Sequence, residues 1–149
     1  MEIILIVLML FGSPTPEKAF EIIQVPEGFT KKIVATEPLV MDPVSFCFDD
    51  EGHILVAESF RQELGVPDNR SSAYWLMDDL ASQTIEDRLA MFEKWADQHV
   101  EGMAFYTNKQ DRIRLLTDRN KDGVFDQSAD FASGFQAPLD GTGAGLLAM

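Results

Sequence analysis

Apolar and polar residues alternate with a period of two along much of this chain, the pattern of strands that cover one face. Phe20–Val25 reads as a short strand, Pro26-Glu27-Gly28 punctuates it, and an extended pattern resumes from Phe29 to Ala35 before Pro38. Val44–Phe48 and Ile54–Ala57 flank Asp49-Asp50-Glu51-Gly52, which predicts a hairpin with an acidic tip. Met103–Tyr106 and Asp111–Thr117 are predicted strands on either side of a turn at Asn108-Lys109-Gln110, and Phe131–Phe135 is another. Between these blocks the period changes. Thr84 stands three residues before Asp87 in capping-box spacing, and Ile85, Leu89, Phe92 and Ala96 recur on a helical face that Met91 and Trp95 widen. A first helix starts near Ala73. The expected fold is mainly β with a helical insertion at about 72–98, the Trp and Met stripe packing against a sheet.

At the N-terminus the pattern breaks into a continuous apolar run, Ile3–Phe11, too short to span a bilayer and of the length of a secretory signal's hydrophobic region. Gly12 and Ser13 follow, then Pro14 and Pro16. Residues 1–16 are therefore expected to be a signal peptide and linker, against the alternative of a buried N-terminal strand, and 17–149 the folded domain. That predicts a periplasmic or secreted protein with no membrane span once the signal is removed.

Composition narrows the partners. The chain has 149 residues, 46% of them hydrophobic, enough for a core. Its formal charge of -13 leaves no basic face to displace counterions from phosphates, which argues against nucleic acid. Cys47 is the one cysteine, so no intrachain disulfide and no CxxCH motif exist, and its apolar surroundings predict a small buried core residue. His53 and His99 stand alone, without a second ligand at metal spacing. No nucleophile or general-base constellation is visible, so no catalytic residue is assigned. The glycines of 141–145 precede no helix with phosphate-binding residues, so they do not read as a nucleotide loop.

One stretch does demand a chemistry. In Asp118–Asp126, DRNKDGVFD, oxygen-bearing side chains fall at Asp118, Asn120, Asp122 and Asp126, positions 1, 3, 5 and 9 of a calcium loop, with Gly123 at the sharp turn of position 6. Val124, at position 7, would contribute its carbonyl. Alternate residues point inward, so Arg119, Lys121 and Phe125 face away. Position 12, where a calcium hand needs a bidentate Glu, is Ala129, and Asp130 lies one residue too late. With strand-like flanks, the expectation is a structural calcium loop between strands, the alternative being a metal-free turn built from Asn, Asp and Gly.

The phrases VPEGFTKKIVATEPLVMDPVSFCFDDEGHILVAES, DRIRLLTDRNKDGVFD and APLDGTGAGLLA, in that order, resemble the N-terminal part of the PVC-type haem-binding proteins, also called putative membrane-bound dehydrogenases. The resemblance runs from about Val25 to Ala148. It implies a β-propeller similar to sorbosone and glucose dehydrogenases, followed in the family by helical repeats and a CxxCH cytochrome domain, acting on a carbohydrate or alcohol. A propeller needs about four or more blades of four strands. This chain accounts for about one blade plus part of a second, and the haem motif and the blades that would carry catalytic bases or quinone contacts are not in it. The end at Met149 predicts a truncated product whose unpaired strand edges promote association. Two functions are thus expected: the opening piece of a secreted dehydrogenase-like propeller, not catalytic alone, or an extracytoplasmic calcium-stabilised module that binds a carbohydrate or protein.

Overall fold

The computed structural model describes residues 2–6 and 15–148. In chain order the elements are β1 (Glu2–Ile6), α1 (Pro16–Ile22), β2 (Thr30–Ala35), β3 (Pro43–Phe48), β4 (Ile54–Glu58), a 3-10 turn (Ala73–Trp75), α2 (Leu76–Ala81), α3 (Ile85–Lys94), 3-10 turns at Ala96–Gln98 and Gly102–Tyr106, β5 (Asp111–Thr117) and β6 (Gln127–Phe135). The fold is mainly β, with α1 before β2 and the other helical elements gathered between β4 and β5. Strands β3-β4-β5-β6 form a mainly antiparallel, open four-stranded sheet in chain order, and β1 pairs with β2 in parallel. The chain divides into two compact units, one taking in residues up to Glu58, Ile113–Ala132 and the end from Ala144, the other Ser59–Arg112 and Ser133–Gly143.

In the first unit the β3–β4 register pairs Phe46 with Val56 and Phe48 with Ile54, so these four side chains share a face. Ile54 and Val56 are buried with Val34, Ala35, Val40, Leu116 and Phe125 in one core. Phe46 and Phe48 extend that face onto the edge strand, where each keeps 45% of its surface exposed and their rings meet edge to face at 6.1 Å. Cys47 points the other way and is half-buried, so the expectation of a core cysteine is corrected. Along β3 the period of two leaves Val44, Phe46 and Phe48 exposed on one face and Ser45 and Cys47 half-buried on the other.

Two predicted strands are helical instead. Phe20 begins no strand; Pro16–Ile22 is helix α1, with Thr15 accepting the Lys18 N–H, Pro16 in its first turn and Glu17 beside it. That Thr-Pro-Glu start outweighs the β-branched tail, because a proline at the first helical position loses no hydrogen bond. Lys31 of β2 then donates to the carbonyls of Phe20 and, at 2.8 Å, Ile23, satisfying the helix's C-terminal acceptors. Glu2–Ile6 pairs with β2, while residues 7–14, the rest of the apolar run and the start of the expected linker, lie outside the described residues.

The second correction is Met103–Tyr106, which lies in a 3-10 turn starting at Gly102. Its apolar side chains join Trp75, Met91 and Phe92 in the second unit's core, where Phe92 stacks on Tyr106 at 4.5 Å. The Trp and Met stripe therefore packs within this aromatic cluster. Helix α3 begins at the expected place: Thr84 Oγ1 accepts the Asp87 N–H at 3.1 Å and Asp87 Oδ2 accepts the Thr84 N–H at 3.0 Å. Its inward face is turned toward Met91 and Phe92, leaving Ile85 69% exposed rather than buried as the spacing suggested.

Candidate functional site

Asp118–Asp126 joins β5 to β6 within the first unit. Its side-chain oxygens shape the turn by taking backbone donors. Asp118 Oδ1 accepts the Lys121 N–H at 2.8 Å and Oδ2 the Gly123 N–H at 2.7 Å. Asn120 Oδ1 accepts from Asp122 at 3.1 Å, Asp122 Oδ1 from Val124 at 2.8 Å, and Asp126 Oδ1 from Arg119 at 3.2 Å. The Asn120 amide donates to Asp122 Oδ2 at 3.0 Å. These are the local bonds by which Asx side chains mimic backbone turns. They require left-handed backbone at Lys121 (φ 59) and Gly123 (φ 82).

The loop is anchored to β2 at two points. The Phe125 N–H donates to the Val34 carbonyl at 2.8 Å while the Phe125 ring enters the core, and Lys32 Nζ donates to the Asp122 carbonyl at 2.7 Å. A Cβ on Gly123 would stand 2.7 Å from that same Nζ. Neither anchor was foreseen from the chain, since Lys32 is 90 residues from Asp122.

The residues fit a hard cation in their donor chemistry. A carboxylate oxygen has two lone pairs, so each one that accepts an N–H retains another for an ion. Among the described residues, however, no three His, Cys, Asp or Glu side chains are gathered where they could hold a metal ion. Asp118, Asp122 and Asp126 thus form no centre by themselves, and the Asn120 amide oxygen and Val124 carbonyl would have to complete one. Asp130, the nearest carboxylate to the missing closing position, instead pairs with Arg114 Nη1 at 2.6 Å along β6.

A model of a domain of unknown function, DUF7133, matches residues 15–141, which include the whole loop. The chain belongs to this family. No curated protein and no solved structure matches it. Among the described residues of this DUF7133 chain no helix is long and apolar enough to cross a membrane.

The second unit of the DUF7133 region holds the strongest polar network that sequence reading missed. Asp111 accepts from Ser59 Oγ (3.1 Å), the Phe60 N–H (2.7 Å), the Arg61 N–H (3.1 Å) and the Gly143 N–H (2.7 Å). Arg61, with no exposed surface, donates from Nη1 to the Asp140 and Gly141 carbonyls and from Nη2 to those of Tyr106 and Ala137. Apart from the Ser59 hydroxyl, their partners are backbone groups, and through Asp140, Gly141 and Gly143 they hold the glycine-rich segment in place; a lone Arg and Asp fifty residues apart give no local spacing by which to recognise them. His53, at the hairpin tip, bonds Asp49 through Nδ1 at 2.8 Å, a turn contact. His99 stacks flat on Phe105 at 3.8 Å, and burial lowers its pKa, with Glu101 pulling the other way.

Proposed function

We propose that this DUF7133 chain is the opening sheet of a secreted or periplasmic β-propeller of the PVC-type haem-binding, putative membrane-bound dehydrogenase kind, with a structural calcium loop at Asp118–Asp126 and no catalytic group of its own. The observation that carries the reading is strand order. Four strands adjacent both in the sheet and in the chain are what a propeller blade consists of, and the oxygen-rich loop joins the last two. Calcium, when bound, would neutralise three aspartates held in one turn. Asp118, Asn120, Asp122, Asp126 and the Val124 carbonyl would hold it, while Phe125 in the core keeps the turn seated on β2.

Substrate and electron transfer belong, on this reading, to blades and a cytochrome region that this sheet does not contain. The described side chains support that division, because the buried Asp111 and Arg61 are taken up by structural hydrogen bonds to backbone groups and the Ser59 hydroxyl. A second reading, an extracytoplasmic module that binds a protein, draws support from the exposed row Val44, Phe46 and Phe48 on edge strand β3.

Calorimetric titration with calcium tests the first reading. Saturable heat in the wild type that Asp122→Ala abolishes is expected. Equal heat from wild type and Asp122→Ala would remove the site.

A further inference from the structure

Helix α2 is amphipathic the wrong way round. Leu76, Met77, Leu80 and Ala81 are exposed, Met77 and Leu80 at 75% and 71%, while Asp78 and Asp79 are the half-buried residues of the helix. Asp78 Oδ2 accepts from Lys94 Nζ at 2.6 Å and from Trp95 Nε1 at 2.7 Å, and Asp79 accepts from the Asn69 amide at 2.7 Å and pairs with Arg88. A helix that packs on its own domain shows the reverse, with the apolar stripe in and the charge out. We propose that the outward face of α2 docks a basic amphipathic helix of another protein, with Met77 and Leu80 as the anchors.

Residues three and four apart share a helix face, so Leu76, Met77, Leu80 and Ala81 form one apolar row. Directly after it, at the α2–α3 turn, the surface opens into a cleft of about 480 Å³ whose walls include Ser82, Ile85 and Leu139, with Ile85 69% exposed. A row of anchors beside a cleft suits a helix that carries apolar residues at i, i+3, i+4 and i+7.

Charge and area choose the occupant. Arg88 and Lys94, the cations of residues 76–98, are both taken by the inward aspartates, so the remaining charge of that stretch, on Glu86, Asp87, Glu93 and Asp97, is negative throughout. With a chain total of -13, the field draws a Lys- or Arg-rich partner and repels an anionic membrane or a second copy. A six-residue helix also falls short of the about 800 Å² per partner that a stable dimer takes, whereas its length matches one short helix laid against it.

The test uses the full chain and a fluorescently labelled model peptide of about 18 residues, with leucine at i, i+3, i+4 and i+7 and lysine between, followed by anisotropy. Saturable binding is expected, weakened about tenfold by Met77→Gln and by Leu80→Gln and unchanged by Val100→Gln, a fully exposed apolar position outside α2. Gln keeps the helix propensity, and side chains already in water hold little stability, so the urea midpoints of these variants are expected to match wild type. A lower midpoint for Leu80→Gln would overturn the proposal by showing that the face is covered within the chain. So would the lack of saturable binding, or equal affinity of wild type and Leu80→Gln, which would leave acidity alone to hold the peptide. Self-association in sedimentation velocity that Leu80→Gln abolishes would assign the face to a second copy instead. Binding to phosphatidylcholine–phosphatidylglycerol vesicles that the same variant abolishes would assign it to a membrane, and either result would overturn the proposal.

Discussion

Asp111 accepts the backbone N–H of Arg61 at 3.1 Å, and the two side chains, 2% and 0% exposed, are the most deeply buried opposite charges of the second unit, yet neither spends its charge on the other. Asp111 faces N–H and O–H donors, and the Arg61 guanidinium faces carbonyls. A buried charge persists only if such partners satisfy it. Removing the acceptor by Asp111→Ala would strand the donors of Ser59, Phe60, Arg61 and Gly143 and is expected to cost about 3 kcal/mol or more. Asp111→Asn, which keeps one oxygen, should cost less. Urea denaturation midpoints of the two variants check the order; equal midpoints with wild type would show the network to be dispensable.

The capping box gives a milder prediction. Thr84→Ala removes the oxygen that accepts the Asp87 N–H and is expected to lower stability by about 1 kcal/mol, with Thr84→Ser near wild type. Thermal melts of the three proteins would show it. A Thr84→Ser loss as large as that of Thr84→Ala would mean the methyl group, not the cap, matters.

Gly123 and Gly52 separate backbone conformation from crowding. Both have positive φ, 82 and 84, but a Cβ at Gly52 meets nothing within 4 Å, while at Gly123 it stands 2.7 Å from Lys32 Nζ. Gly52→Ala is expected to cost about 1 kcal/mol from the left-handed conformation alone. Gly123→Ala should cost more, because Lys32 must also leave the Asp122 carbonyl, and Lys32→Met in the same chain should narrow the gap. Stability curves for the two single variants and the double variant measure this directly.

His99 is expected to make the second unit sensitive to mild acid. Burial lowers its pKa, against a smaller opposing pull from Glu101, and its Nε2 is buried without a hydrogen-bond partner. A depressed folded-state value means that the unfolded chain takes the proton first. The stability held by neutral His99 is therefore full above the unfolded value near 6.5 and is lost as the pH falls through the lower folded value. His99→Gln should flatten stability between pH 7 and pH 5 relative to wild type, as followed by denaturant midpoints; parallel pH profiles would assign the acid sensitivity elsewhere.

The exposed edge row predicts behaviour in solution. Phe46→Ser with Phe48→Ser is expected to reduce concentration-dependent association with little loss of stability, since both rings already keep 45% of their surface in water. Sedimentation velocity over a range of concentrations reads the first effect. A large destabilisation would show instead that the rings belong to the core.

Everything that rests on neighbours a few residues apart was decided by the sequence. The capping box at Thr84 and Asp87 and the internal bonds of Asp118–Asp126 are contacts between residues two to seven apart, which spacing alone brings together, and the span of β5 follows from its alternating pattern. The Thr-Pro-Glu start of α1 was equally local and outweighed an apolar run that reads as strand or helix with equal ease. Tertiary structure decided the rest. Which strand lies beside the loop determines that Lys32 meets Asp122 and that Phe125 is buried, and only the pairing of β5 with β6 turns Asp130 toward Arg114 and away from the loop. Buried side chains such as Arg61 and Asp111 find their partners 32 to 80 residues away, at separations for which periodicity holds no information. Chain-local hydrogen bonds follow from residue order, whereas the packing that seats the loop exists only once distant strands have paired.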